Sequence, residues 1–573
     1  MKYFIPEWND RVDPKYDFVN DAHSEEHKKD PINNDVYMWN IFGLENVPID
    51  GVLVSRITIM QSKNKYKRVL REGIHKALKL PNSFEILGDC GAFGYMKEKV
   101  PPFDPTEILE YYSKCGFNYG VSVDHLVVTQ FKKEKKARLQ ITYENAVKAY
   151  YEWCRRFKND FQLLLAVQGW DVEDYLKMYR NYIKLGATHV AFGGLARSPT
   201  SFITQLIDEL IKEIKTSKKV PVYLHFFGLA RFSLFPKFQE LEDLGVKVGF
   251  DSASYLRKAW LSAASTQLNY LTLEGEGYSA IRIPFVKKKK LKTANTLTGK
   301  VDINELKSLE KECLNKLRLY DKGKENLENV LFSLSKFNKA LGLNTSLIRY
   351  YKRTLEDKPW KLCNCPICKK IGIEVVIFRG NNRNRRRGFH NIYVFYNILK
   401  NPTLWSRFTK KRREEQKSEL YSLNKSDKVL VITGCTKEKL AYNNSLRAPA
   451  KEMYQGRLFK TVKKYCEAMG YDYVIISAKY GLLFPDEVIE GYEKVLQTKE
   501  DIQTIRPLVE KRLKPILDKY EKILVIAGEK YREVLRYLWD ERFITVKSRG
   551  YGDLCSIIRK AIPKEKSILD FIV

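Results

Sequence analysis

Two hydrophobic patterns alternate along the chain from about residue 50 to 280. Short apolar runs, SFEILGD, FNYGVSVD, FQLLLAVQG, THVAFGG, VPVYLHFFG and VKVGFDSAS, each stop at a polar or glycine-rich corner, the pattern of strands buried in a parallel sheet. Between them apolar residues recur at helical spacing, as in TYENAVKAYYEWCRRF and SFITQLIDELIKEIK. Strands alternating with helices predict an α/β fold with a parallel sheet. Six such runs with polar residues at their ends favour a (β/α)8 TIM barrel over an open sheet. In that barrel Asp89, Asp124, Gln168, Gly193 and Asp251 share one rim.

The pattern then changes. Lys287, Lys288, Lys289 and Lys290 precede a helical stretch over 303–341, which reads as a basic crossing and an insertion near the barrel's end. A second charged stretch, KKRREEQKSELYSLNKSD, precedes a new alternation of KVLVITG, YDYVIISA and KILVIAG, so a domain boundary falls at about residue 420. The reading divides the chain into a barrel domain over 1–400 with an inserted zinc-binding subdomain at 355–395, a basic linker over 401–425, and a C-terminal open α/β domain over 426–573. Ligands of open α/β sheets bind beyond the strands' carboxyl ends. Gly434, Cys435, Thr436 and Lys437 stand at one such end and Lys479, Tyr480 and Gly481 at another.

Composition adds a partner. The 573 residues carry 101 Lys and Arg against 69 Asp and Glu, a net charge of +32, whose field attracts polyanions, nucleic acid first among them. No leader peptide or membrane-length apolar run is seen, so a soluble cytoplasmic protein with no membrane partner is expected. Of ten cysteines three are grouped, at 363, 365 and 368, which suits metal binding in a reducing compartment better than a disulfide framework.

Those three, in CNCPICKK, together with His390 supply three thiolates and an imidazole, enough to close a tetrahedral zinc site. A closed site has no open position for water, so one structural zinc per chain is expected. Between the ligands lie Arg379, Arg383, Arg385, Arg386 and Arg387, read as a metal-tethered loop whose guanidinium forks contact phosphate.

Taken in order over roughly residues 50–395, these features resemble the tRNA-guanine transglycosylase family. Its zinc pattern of Cys, one residue, Cys, two residues, Cys and a distant His is met by Cys363, Cys365, Cys368 and His390. Asp89-Cys90-Gly91-Ala92-Phe93 is similar to its first catalytic motif, which implies Asp89 as general acid/base and Phe93 stacked on the bound base. Asp124, Gln168 with Gly169, and Gly193 with Gly194 resemble its base-recognition elements. GVKVGFDSAS resembles the stretch bearing its nucleophile, which implies that Asp251 attacks the anomeric carbon and is later displaced by a 7-deazaguanine. His125 and His225, near strand ends, are read as structural.

The chain also departs from that family. Cys-Gly-Ala replaces Ser-Gly-Gly after the first Asp, and Ser252 to Arg257 follow the nucleophile where the family has Pro-Thr-Arg. LRAPAKEMYQGRLF and ISAKYGLLFPDEVIEGYE make the C-terminal part similar to the YaaA peroxide-stress proteins, a kind of α/β domain that accompanies DNA-type transglycosylases. The resemblance therefore points to the DNA-modifying branch, which inserts preQ0-type bases into DNA, with Lys437, Lys439, Lys479, Tyr454 and Tyr480 as a possible DNA surface and helper proteins as possible partners. The alternatives are the same exchange on tRNA and a non-catalytic nucleic-acid-binding subunit. Duplex DNA would require base extrusion.

Overall fold

A computed structural model describes residues 1–217, 219–261, 269–274, 277–286, 302–342, 347–405, 428–441, 446–536, 538–540, 542–546 and 551–562. Lys287 to Lys290 and most of the 401–425 stretch lie outside these. Two compact units emerge, one of Met1–Phe285 with Asp357–Thr409, the other of Val286–Glu356 with Lys410–Val573. The helices Ile303–Asp321 and Leu327–Ala340, read above as a barrel insertion, thus group with the second unit.

The first unit is a closed parallel barrel of eight strands: β1 Lys2–Pro6, β2 Gly51–Ser55, β3 Glu85–Asp89, β4 Tyr119–Val121, β5 Gln162–Val167, β6 His189–Phe192, β7 Tyr223–Phe226 and β8 Lys247–Asp251. The six apolar runs are β3 to β8. The first strand, KYFIP, lies at the amino terminus and closes the barrel against β8, with Phe4 opposite Asp251. Alternation sends Phe4, Leu53, Leu87, Val121, Leu164, Ala166, Ala191 and Tyr223 into one interior cluster. Two residues further on, the same inward face carries Ser55, Asp89, Gln168, Gly193 and His225. The apolar plug below thus sets the polar rim above.

After the barrel come two short pairings: β9 Tyr270–Leu271 antiparallel to β10 Gly277–Tyr278, and β11 Ile281–Arg282 parallel to β12 Ile377–Phe378. The helix Gly380–Leu399 returns to pack on Ser254–Leu261, the helix that follows β8. Gly388 permits that approach, since a Cβ there would stand 2.7 Å from Leu256 Cδ1 and 2.9 Å from Leu256 O.

The second unit holds β13 Val429–Gly434, β14 Arg447–Pro449, β15 Asp472–Ser477, β16 Gly481–Leu483, β17 Val488–Glu490, β18 Lys522–Ile526 and β19 Phe543–Thr545. The main sheet has the order β16-β15-β13-β18-β19, parallel except for β16. This is the open α/β domain the alternation predicts. No helix among the described residues is long and apolar enough to cross a membrane.

Candidate functional site

At the carboxyl end of the barrel a cavity of about 790 Å³ is lined by Asp89, Asp124, Gln168, Gly193, Gly194 and Asp251. Phe93, 58% exposed, stands at its mouth. The barrel therefore brings together every residue that the sequence placed on the rim.

The three carboxylates differ in their surroundings. Asp89 accepts the Gly91 N–H at 3.0 Å. Burial, then the charges of Asp124 and Asp251, push its pKa up to about 8 against the opposing N–H groups of Gly91 and Cys90. Asp124 accepts the Gln168 Nε2–H at 2.6 Å, and burial raises its pKa to about 6 with that amide pulling the other way. At neutral pH Asp89 is thus mainly a proton donor and Asp124 mainly an anion. Asp251, 8% exposed, accepts the Gly228 N–H at 3.0 Å.

His225, read from the sequence as a structural group, lies against Asp251, its Nε2 3.3 Å from Oδ1, while Tyr223 Oη meets its Nδ1 at 3.0 Å. With Tyr223 donating, the ring proton sits on Nε2 and faces the carboxylate. Gly249 leaves room for this relay, because a Cβ there would come within 1.8 Å of Tyr223 Oη. The spacing of Tyr223, His225, Gly249 and Asp251 along two adjacent strands was the available signal. His125 behaves as expected of a structural group, with Nε2 3.0 Å from Glu98 O and Nδ1 3.0 Å from Arg138 Nη1.

Gln168 is fully buried. Its amide nitrogen is held by Asp124, while Oε1 has no hydrogen-bond partner among the described residues. A buried acceptor left open in a cavity wall costs free energy until a donor arrives. The glycines fit closely around it: a Cβ on Gly193 would lie 2.2 Å from Gln168 Nε2, and one on Gly194 2.7 Å from Oε1, while Gly169 packs on the Tyr175 ring.

The four residues that could hold a metal ion are close together. The sulfurs of Cys363, Cys365 and Cys368 lie 3.5, 3.5 and 3.4 Å from His390 Nδ1. A tetrahedral zinc site with standard bond lengths has S···N edges of about 3.6 Å, so the four residues fit such an ion. His390 Nε2 stands 2.8 Å from Leu271 O, which leaves Nδ1 free to ligate, and Tyr270 stacks on the ring at 3.9 Å.

The five arginines do not form a phosphate-facing loop. Arg383, Arg385, Arg386 and Arg387 lie on the helix Gly380–Leu399, and Arg379 caps it. Arg383, fully buried, donates to Glu374, Asp21 and Phe18 O. Arg379 donates to Asp21 and Ile283 O, and Arg386 to Asn382 and Asp13 O. Arg387 donates to the carbonyls of Ala259, Val375 and Ile377. Arg385 donates to Arg11 O and pairs with Asp10 at 3.4 Å. The segment 10–21, unremarkable in sequence, supplies carboxylates and carbonyls that turn the cations inward. Cations that remain at the cavity are Arg257, stacked over Trp8 at 3.4 Å, and Lys258.

In the second unit Tyr454 is buried at 1% and Lys439 at 6% exposure, so neither belongs to an open DNA surface. Lys437 and Lys479 are exposed and Tyr480 partly so.

Comparison with known proteins bears on both units. Over 446 residues the chain is 33% identical to a protein of Salmonella montevideo named DNA-guanine transglycosylase, covering 73% of this chain and 99% of that one. Over 149 residues it is 24% identical to the uncharacterized protein YfjM of Bacillus subtilis (strain 168), covering 25% of this chain and 99% of that one. A family of unknown function, DUF6884, matches residues 429–550.

Proposed function

The chain belongs to the DNA-guanine transglycosylase family and is a glycosyltransferase-type enzyme exchanging guanine in DNA, and from that premise we propose that it installs a 7-deazaguanine of the preQ0 type through a covalent aspartyl-sugar intermediate. The observation that carries this reading is the convergence of Asp89, Asp124, Gln168 and Asp251 in one cavity of about 790 Å³.

In this reading a deoxyguanosine is extruded from the stack, with Phe93 against the base and Asp124, Gln168 and the glycines of 193–194 at its edge. Asp251 attacks C1′ as the C1′–N9 bond breaks. Asp89, protonated at neutral pH, supplies the proton that the departing guanine takes up. The emptied carboxylate then receives the N9 proton of the incoming base, whose nitrogen displaces Asp251 from C1′. His225 holds Asp251 in line, and Arg257 and Lys258 offer the cavity mouth cations for the DNA phosphates in place of the inward-turned arginine row.

Cys363, Cys365, Cys368 and His390 would hold one zinc ion, whose contribution is structural. It would tie the middle of the helix Gly380–Leu399 to the 363–368 turn, and through Arg387 and Ala259 O steady the helix that follows Asp251.

The test is release of labelled guanine from duplex DNA and from tRNA in parallel, with preQ0 present. Release from DNA, with preQ0 incorporated in equal amount, is expected. Release from tRNA alone, or release without incorporation, would overturn the reading.

A further inference from the structure

A guanine that enters the barrel cavity leaves a gap in the duplex it came from. Among the described residues two exposed large apolar side chains line that cavity, Phe93 at 58% and Trp8 at 44%. Phe93 meets the base in the exchange proposed above. Trp8 has no part in it.

Trp8 stands on the side of the rim where the sugar must pass. Asp124, Gln168 and Gly193, beyond the ends of β4, β5 and β6, make the half that meets the base edge. Trp8 instead follows β1, which lies between β2 and β8 and runs beside Asp251, with Phe4 as that residue's register partner. Asp251 is the group that reaches C1′, so the sugar and its two phosphates lie on the β8 side. The strand carrying the extruded guanine therefore leaves the cavity past Trp8, and the indole stands where the rest of the duplex comes closest.

The turn that holds the indole is firmly built. Glu7, 4% exposed, accepts the Asn9 N–H at 2.9 Å and the Tyr37 hydroxyl at 3.1 Å on one oxygen, and its other oxygen pairs with Lys65. Lys65 also donates to Asn9 Oδ1 at 2.7 Å. One ammonium thus ties together the residues on both sides of Trp8. Asn9 has a φ of 59°, the left-handed conformation that asparagine tolerates better than most side chains. Arg257 covers one face of the indole at 3.4 Å, with Asp10 close enough to act on its charge. An aromatic group fixed in this way loses little freedom on contact, which suits it to stacking.

We infer that Trp8 is a wedge for duplex DNA: its indole fills the gap left by the extruded guanine and stacks on the neighbouring base, while Arg257 beside it meets a flanking phosphate. Extrusion breaks stacking, and an inserted apolar side chain restores part of what is lost. Trp8 is then a positioning residue, which holds the duplex open while the barrel residues act on the guanine. The inference rests on the reading that guanine is extruded from duplex DNA.

Guanine release by the full-length protein tests this on two DNAs, one with the target guanine paired to cytosine and one with the same guanine in a bubble of unpaired bases. Trp8→Ala should lower kcat/KM on the paired target about tenfold more than on the bubble, and Trp8→Phe, which still stacks, should restore most of the loss. A second readout needs no turnover: pyrrolocytosine opposite the target guanine brightens when its partner leaves the pair. Saturating unaltered protein should brighten it, and saturating Trp8→Ala should do so far less. An equal fall on both targets would overturn the wedge and put the indole on the extruded guanine instead. No fall on either target, or undiminished brightening by folded Trp8→Ala, would overturn it as well. If the unaltered protein releases guanine from neither DNA, base exchange itself fails and the wedge with it, whereas release without the difference between targets removes the wedge alone.

Discussion

Two regions of the barrel unit bury charge at similar density and treat it in opposite ways. On the helix Gly380–Leu399 and its cap, four buried guanidinium groups meet carboxylates or main-chain carbonyls. On the barrel rim, three carboxylates share a cavity with no Lys or Arg in hydrogen-bond contact among the described residues, and two have pKa values raised by burial. Compensated charge holds structure together; uncompensated charge has its free energy lowered when a ligand or a proton arrives. Neither residue type nor motif density tells the two apart. The partners do.

If that contrast is right, removing charge from the rim should affect rate and spare the fold. Asp251→Asn keeps the size and the Gly228 contact but forfeits the nucleophile, and guanine release should fall by at least about 10³-fold with unchanged melting. Release at the original rate would show that C1′ is attacked by something else.

Removing charge from the helix should do the reverse. Arg383→Met leaves Glu374 without its cation and Asp21 with Arg379 alone, and should cost about 3–5 kcal/mol in denaturant unfolding. Arg385→Ala, whose side chain is 28% exposed, should cost under about 1 kcal/mol. Equal losses at the two positions would break the distinction between paired and partly solvated cations.

The rim also carries a pH signature. The carboxyl of Asp89 has an ordinary pKa of 3.8 and a folded one of about 8, so the folded state holds its proton over that interval while the unfolded chain loses it. Its unfavourable contribution is absent below the lower value, grows as pH rises and levels off above the upper. Asp89→Asn should therefore be more stable than the parent at pH 8 by about 2 kcal/mol, less than the full shift because water reaches the cavity. The gain should vanish towards pH 4. A pH-independent difference would mean that Asp89 is not held protonated in the folded protein.

Much of this was legible in the sequence, for a definite reason. Strand ends are marked by an inward apolar residue followed two positions later by a polar one, so Asp89, Gln168 and Asp251 announce both their strand and their rim. The Cys and His spacing is as local, and the four ligands meet. What was not legible is pairing over long separation. Beside the nearer Glu374 and Asn382, Arg383 and Arg386 are held by Asp21, Phe18 O and Asp13 O, more than 360 residues away in the chain, and nothing in GNNRNRRRGFH states that its cations turn inward. KYFIP was hidden for another reason: residues 7–50 separate it from the next strand, so it stands outside the alternation that marked the other strands.

His225 is the finest test of the comparison, because it stands between the two regimes: a fully buried polar group whose Nε2 faces the Asp251 carboxylate at 3.3 Å. If it merely fills the barrel, His225→Phe should alter melting and leave the rate per folded molecule unchanged. If it holds the carboxylate in line, kcat should fall about tenfold while KM stays the same, the loss of one hydrogen bond to a charged group. Tyr223→Phe, which touches Asp251 only through His225, should then give a smaller fall in kcat of the same kind. A loss confined to KM, or a Tyr223 effect larger than that of His225, would remove the relay and leave Asp251 positioned by the Gly228 N–H alone.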